Sequence, residues 1–346
     1  MNNVVSRWLR NARSVSLAQS VLPAVLAVVL ALGSPGFNIL YSLLAVFGVA
    51  CAHLAMNLAD DYFDFKADML SDRDKVVRKG FRAMMLKYPY LTDGSQTPAG
   101  LARAIACFVA AALLCGAVIF CGRTATGGFT GAEGSWWILL FCLSAGFLGV
   151  FYSAPPLKLA YRGLGEPVIG LIFGPLLMLG VYYSSCGKVS PEVLWISLPL
   201  GLMVMNILYT HSFVEKDSDE ESNKMTLARL IGSYSVNARA AVVINMLPYA
   251  IVIFAVCMGF LHPAYLVLLS VLPRSIWLCR SLASYAAGDT SVPDRPEWWL
   301  GRMPRWEAMK ASGVDWFMMR WLASRNILSA FCLLTVAVRL LLLILN

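Results

Sequence analysis

Five acidic or amide side chains crowd the stretch Asn57-Leu-Ala-Asp60-Asp61-Tyr62-Phe63-Asp64-Phe65-Lys66-Ala67-Asp68. Asn57, Asp61, Asp64 and Asp68 are four, three and four residues apart, which stacks them on one face of a helix. Carboxylates this close repel one another unless a cation sits among them, and their hard oxygens suit Mg²⁺. A second acidic run, His211-Ser-Phe-Val-Glu215-Lys-Asp217-Ser-Asp219-Glu220-Glu221, repeats the pattern. Glu215 and Asp219 lie one turn apart on the face that carries His211, whereas Asp217 would point about 160° from Asp219 in an ideal helix. The candidate metal ligands are therefore Asp61, Asp64 and Asp68 together with Glu215, Asp219 and the adjacent Asp217. Mg²⁺ usually completes its octahedron with substrate phosphate, so the chemistry suggested is that of a Mg²⁺-diphosphate. Simple solvation explains one acidic helix end; two that are both helix-phased favour a shared ligand.

Both clusters close long apolar runs, and no Asp, Glu, Lys or Arg occurs between Arg13 and Asp60. Of the 346 residues, 59% are hydrophobic and 14% charged, whereas soluble domains carry about 25% charged residues. The chain therefore reads as an all-α, multi-pass integral membrane protein. Apolar windows mark about nine spans, near 15–33, 37–59, 100–122, 135–153, 166–186, 192–213, 239–258, 262–282 and 323–345, and one bundle covering 1–346 holds them all. The uncharged run from Ala240 to Pro273 is long for one helix and should break at Leu261-His262-Pro263.

With a cytoplasmic N-terminus, every Lys and Arg except Arg123, Lys188 and Arg339 falls on the cytoplasmic side, beside both acidic clusters. A bacterial inner membrane is the expected location. The arginines ahead of the first apolar run resemble the start of a signal peptide. That run is long, contains Pro23, and its removal would invert the charge bias, so it is expected to stay. Nine cysteines without a CxxC read as packing residues. The inner loop 283–322 carries Trp298, Trp299, Trp306, Trp316 and Trp321 among Arg and Lys, the pattern of an amphipathic segment at headgroup depth rather than a substrate lid.

A diphosphate needs cations besides the metal. Arg78, Lys79 and Arg82 follow the first cluster, and Lys158 and Arg162 lie in a short inner loop that opens at Tyr152. With Asn57 and Tyr152 they form the candidate substrate-binding set, and Asp61, Asp64 and Lys158 are the candidates for catalysis. Positive-inside topology explains each basic residue equally well; convergence on the carboxylates would separate the two explanations. An isoprenyl diphosphate fits such a site, because its tail partitions into lipid while its head needs metal and Lys or Arg to leave. An aromatic-lined cavity would shelter the allylic cation from water. Nothing in the chain calls for nucleic acid or an obligatory protein partner.

These residues resemble the UbiA superfamily of intramembrane aromatic prenyltransferases, most closely its 1,4-dihydroxy-2-naphthoate prenyltransferases of menaquinone synthesis. Three separated places between Trp8 and Gly232 carry the resemblance. Asn57-Leu-Ala-Asp60-Asp61-Tyr62, continuing to Asp64 and Asp68, is similar to the first aspartate motif. Tyr161-Arg162-Gly163-Leu164-Gly165-Glu166 is similar to the middle signature, and Glu215-x-x-x-Asp219 followed by Lys224-Met-Thr-Leu-Ala228 to the second motif. The resemblance implies Mg²⁺, a polyprenyl diphosphate donor, and a dihydroxynaphthoate acceptor that loses its carboxylate on alkylation to give demethylmenaquinol. Asp60 stands where the family has Asn, Glu215 where it has Asp, and His211-Ser212 where paired asparagines are common. Other acceptors stay open, namely a quinone precursor, a chlorophyll-type ring or a glycerol phosphate. So does a cation-coupled transporter, since intramembrane carboxylates also mark ion paths; a transporter would place them near the bilayer midplane rather than at the inner helix ends.

Overall fold

The computed structural model describes residues 4–68, 88–131, 133–221 and 224–345, side chains at 67, 68 and 221 aside. Among the described residues all regular structure is helical. Nine helices among the described residues are long and apolar enough to cross a membrane: Ser14–Ala31, Ile39–Lys66, Pro98–Gly127, Trp136–Ser153, Gly165–Cys186, Pro191–Val214, Tyr234–Cys257, Pro263–Ala286 and Asp315–Leu345. They are called the first to ninth spans below. The break expected at Leu261-His262-Pro263 is there, with the His262 side chain accepting from the Ala264 N–H to start the eighth span.

Two boundaries differ from the hydropathy reading. The second helix runs on to Asp68, which puts the whole first acidic motif on one helix. The ninth span starts at Asp315 rather than near 323, so the Trp-rich inner segment is 287–314 instead of 283–322. Arg320 and Arg325 depress hydropathy there, yet the Arg320 side chain is buried and donates to the carbonyls of Ser281, Thr290 and Trp316. A guanidinium satisfied this way can sit inside a packed helix. Trp316 and Trp321 therefore belong to the ninth span, and Trp306 is buried on a short helix, Trp306–Ala311.

The chain divides into two compact units, one made of Met1–Leu159 and Pro175–Val193, the other of Ala160–Gly174 and Leu194–Asn346. In the first unit the second span packs along the third, and a short helix, Val4–Asn11, lies over its acidic end. Trp8 and Leu9 of that helix join Ala12, Leu54, Leu58, Tyr88, Tyr90, Leu91 and Leu101 in one hydrophobic cluster. Arg13 then adopts a left-handed conformation, φ 54°, which turns the chain into the first span.

In the second unit the fifth and sixth spans approach at glycine. A Cβ added at Gly174 would lie 2.4 Å from the Gly201 Cα, so only glycine permits this spacing. The fifth span carries a π turn, Ile172–Leu176, around Pro175, whose missing N–H cannot serve the ordinary helical bond. Asn206 and Asn245 join the sixth and seventh spans by two amide hydrogen bonds, 2.8 and 3.0 Å. Such pairs satisfy polar groups where water is absent.

Candidate active site

The first cluster is built by the second helix and by two segments that lean on its end. Asp61 and Asp64 are only 2% and 3% exposed, although both are carboxylates near a helix terminus. Burial this deep is costly for a carboxylate without a cation or several donors. Asp61 has both: Tyr90 donates its phenol at 2.8 Å, and the Arg13 guanidinium lies 3.2 Å away. Arg13 also reaches Asp60 at 3.6 Å and donates to the Asn57 carbonyl. Burial works against the Arg13 charge, but Asp61 and then Asp60 outweigh it and hold the guanidinium above its ordinary range. Burial first, and Asp61 second, push the Tyr90 phenol far above the usual phenol range, so it remains a donor.

Asn57 uses its amide N–H groups on the Ala12 carbonyl and the Ser16 hydroxyl, which ties the N-terminal segment to the second span. Asp60, the departure from the family's Asn, accepts from Ser153 at 2.7 Å and attracts Arg13. An Asn there could take the serine bond but would lose the ion pair. The backbone of Asp68 is helical and its side chain lies outside the described residues, as do Arg78, Lys79 and Arg82 altogether. Lys158, in the loop after the fourth span, is exposed and left-handed, φ 45°. Tyr152, at the end of the fourth span, is half-buried.

The second cluster is built differently. The sixth span is interrupted at Glu215, yet its hydrogen bonds continue, from the Glu215 N–H to the His211 carbonyl and from the Asp219 N–H to the Glu215 carbonyl. Glu215 and Asp219 therefore keep one face, at 3% and 0% exposure, while the Asp217 side chain is 74% exposed and lies 3.8 Å from Lys216. His211 Nδ1 lies 3.4 Å from the Glu215 carboxylate. An aromatic collar of Phe213, Tyr234, Tyr285, Trp316 and Phe317 surrounds this end of the span, with Tyr285 donating to the Val214 carbonyl.

Glu166 braces the cluster. Its carboxylate accepts from Ser212 at 2.5 Å and from the Leu227 N–H at 3.2 Å, while the Gly163 N–H donates to the Met225 carbonyl. The segments 161–166 and 224–228, distant in sequence, are thus one structural piece. Ser212, where the family commonly has Asn, is the hydroxyl that makes this contact. Arg162, on the same loop, is exposed. Reading the sequence did not single out Arg13, Tyr90 or Glu166 as supports, because each reaches its partner through tertiary packing rather than helical spacing.

Among the described residues no three His, Cys, Asp or Glu side chains converge closely enough to hold a metal by themselves. What each unit does present is a buried pair of carboxylates one turn apart. That donor set suits a hard ion bringing phosphate and water as its remaining ligands, as Mg²⁺ does, and not a metal caged by protein alone.

A model of the UbiA prenyltransferase family matches residues 20–295. The chain is similar to the 1,4-dihydroxy-2-naphthoate octaprenyltransferase of Bacillus subtilis (strain 168), 26% identical over 220 residues that cover 64% of either chain. The match thus falls just short of two thirds of that relative's length. The Escherichia coli (strain K12) protein of the same name is 26% identical over 232 residues, covering 67% of this chain and 70% of that one. Among solved structures, a UbiA homolog from Archaeoglobus fulgidus bound to GPP and Mg²⁺ has the same fold, with a TM-score of 0.58 at 16% identity, covering 96% of this chain and 99% of that chain.

Proposed function

We propose that this chain, which belongs to the UbiA prenyltransferase family, transfers a polyprenyl group from polyprenyl diphosphate to 1,4-dihydroxy-2-naphthoate. The observation that carries the reading is the burial of Asp61 with Asp64 and of Glu215 with Asp219, each pair one turn apart at a span's end. Each pair would hold Mg²⁺, with Asp68 and Asp217 at the margins of the two motifs. Bound Mg²⁺ would offset negative charge on the departing pyrophosphate. Arg13 and Tyr90 fix the Asp61 carboxylate, and Glu166 with Ser212 fixes the segment that carries Glu215 and Asp219. Lys158, Arg162, Arg78, Lys79 and Arg82 would add cations for phosphate oxygens, with Asn57 and Tyr152 beside them.

In the reaction the prenyl C–O bond breaks with its electron pair leaving on pyrophosphate. A ring carbon of the naphthoate supplies the pair for the new C–C bond, and loss of the carboxylate as CO₂ restores the ring. Aromatic faces such as those of Tyr285 and Phe317 can stabilise an allylic cation. The positive-inside bias supports a cytoplasmic N-terminus, with the acidic ends on the cytoplasmic side of a bacterial inner membrane. The chain works as one polytopic domain, its Trp-rich inner segment lying in the interface. The likeness to two naphthoate octaprenyltransferases favours naphthoate over the other acceptors. The test is the product mass from purified protein given Mg²⁺, dihydroxynaphthoate and a series of prenyl diphosphates, with pyrophosphate measured in parallel. A prenylated, decarboxylated naphthol is expected; pyrophosphate release that does not depend on the acceptor would sink the assignment.

A further inference from the structure

Two of the three cations that the charge bias leaves off the acidic side, Arg123 and Lys188, line a single cavity of about 430 Å³. The cavity belongs to the first unit, at the end where the first span stops, the second starts and the third and fifth stop. Asn38, which lines it, is followed at once by the second helix, so at about 1.5 Å per residue it lies roughly 35 Å along the axis from Asp61. That is the opposite face of a bilayer.

Arg123 is only 8% exposed. Nε and Nη2 donate to the Ser184 carbonyl and Nη1 to the Gly36 carbonyl, which leaves two of the five guanidinium N–H groups for another acceptor. No carboxylate pairs with it among the described residues. A buried guanidinium held by neutral carbonyls and by the face of the Tyr41 ring, 5.1 Å away, retains its charge without a counter-ion. Lys188 faces Glu133 at 3.2 Å, but both are exposed, and such a pair exchanges readily for another partner. The floor is glycine. A Cβ at Gly36, φ +79°, would lie 2.8 Å from the Cys186 carbonyl oxygen, and one at Gly187, φ +74°, would lie 3.2 Å from Arg123 Nη1. Side chains at either position would close the space beside the guanidinium. Trp136 and Trp137 stack on one another at the start of the fourth span, the signature of headgroup depth.

We propose that this cavity binds the phosphate of a phospholipid headgroup in the leaflet opposite the acidic residues. Arg123 supplies the buried charge and the two remaining donors, and Lys188 closes over the phosphate from the water side. The lipid's acyl chains run along the outer surface of the same helices.

The test uses the full chain purified in neutral detergent. Thermal unfolding is followed while titrating dioctanoyl phosphatidylglycerol, dioctanoylglycerol, or inorganic phosphate. Only the phosphatidylglycerol should raise the unfolding midpoint. Lys188→Glu, a surface change, should weaken that response about tenfold in lipid concentration, the ratio expected for one lost charge-assisted contact. Arg123→Gln should abolish it; if that variant does not fold, Lys188→Glu decides alone. An equal response to dioctanoylglycerol overturns the proposal, as does a response unchanged in Lys188→Glu. An equal response to inorganic phosphate overturns the lipid assignment and makes the ligand a free oxyanion.

Discussion

The two acidic ends solve one electrostatic problem by different means. At the first, a cation and a phenol from other segments converge on Asp61: Arg13 at 3.2 Å and Tyr90 at 2.8 Å. At the second, His211 lies one turn from Glu215, while the Lys224 N–H and the Arg229 guanidinium both donate to the Asp219 carbonyl and shape the chain that follows. At the first, side chains thus act on the Asp61 carboxylate itself, whereas at the second, bonds to the main chain around Asp219 and the Glu166 brace shape the segment that carries the carboxylates. The difference teaches where each is fragile. The first depends on packing of the N-terminal helix, the second on the hydrogen-bonded piece that joins segments 161–166 and 224–228.

The largest effects should come from the carboxylates themselves. Asp64→Ala and Asp219→Ala are each expected to lower turnover at least about a hundredfold, the scale for losing one electrostatic contact to a developing charge. Unfolding in detergent should change little, since removing one carboxylate from an acidic stripe relieves repulsion. Asp61→Ala should differ by also destabilising the fold, because Arg13 and Tyr90 lose their shared partner. Prenyl transfer and thermal unfolding, measured together on the three variants, break the comparison if Asp61→Ala and Asp64→Ala unfold alike.

Next in size is the pair of exchanges at Glu215. Glu215→Gln keeps the shape and removes the charge, so activity should need far more Mg²⁺ and stay severely impaired at saturation. Glu215→Asp restores the family's residue and should keep substantial activity. Asp217→Asn should be close to the parent, because that side chain is exposed while 215 and 219 share a buried face. A dead Asp217→Asn beside a healthy Glu215→Gln would reverse the assignment, and a Mg²⁺ titration of activity reads both.

Glu166→Gln tests the brace. The variant's carbonyl can still accept from Ser212 and Leu227, but its NH2 group would face the Leu227 N–H that the second carboxylate oxygen now accepts from, and the charge is lost, so stability should fall by about 1–3 kcal/mol. Because the brace positions Glu215 and Asp219 without touching substrate, the Mg²⁺ requirement should rise with the prenyl diphosphate KM while the acceptor KM holds. A loss of stability with unchanged metal dependence would make Glu166 structural only.

The fold was largely legible because spans are long apolar runs and every boundary but two, the end of the second span and the start of the ninth, fell within about five residues of its hydropathy edge. The ninth span was misread since Arg320 and Arg325 look like loop residues until the carbonyls around Arg320 are known. The carboxylates were legible for a related reason: i,i+3 and i,i+4 spacing is local, so sequence alone phases Asp61 with Asp64 and Glu215 with Asp219. Their supports were not. Tyr90 lies 29 residues from Asp61 and arrives on the four-residue helix Pro89–Thr92, whose register nothing local specifies. Arg13 reads as one more positive-inside arginine until Trp8, Leu9 and Ala12 are seen packed on Leu54 and Leu58.

The smallest effect, and the one that separates the two acidic ends most cleanly, is expected of Tyr90→Phe. The substitution removes one hydrogen bond to a charged group, worth about 1.5–3 kcal/mol at most, while Arg13 still holds Asp61. Turnover should fall by roughly three- to tenfold, far less than for Asp61→Ala, and the folded protein should persist. The pH dependence is the sharper reading. Burial first and Asp61 second raise the Tyr90 phenol far above its ordinary range, so it stays protonated and donating throughout the working range. The ratio of parent to variant activity should therefore be flat between pH 7 and 9. A phenol with a normal or lowered pKa would lose its proton as pH rises, the donor would vanish, and the parent would converge on the variant at the alkaline end. Convergence would mean that the phenol adds nothing at alkaline pH, and the contrast between the two clusters would rest on the Arg13 ion pair with Asp61.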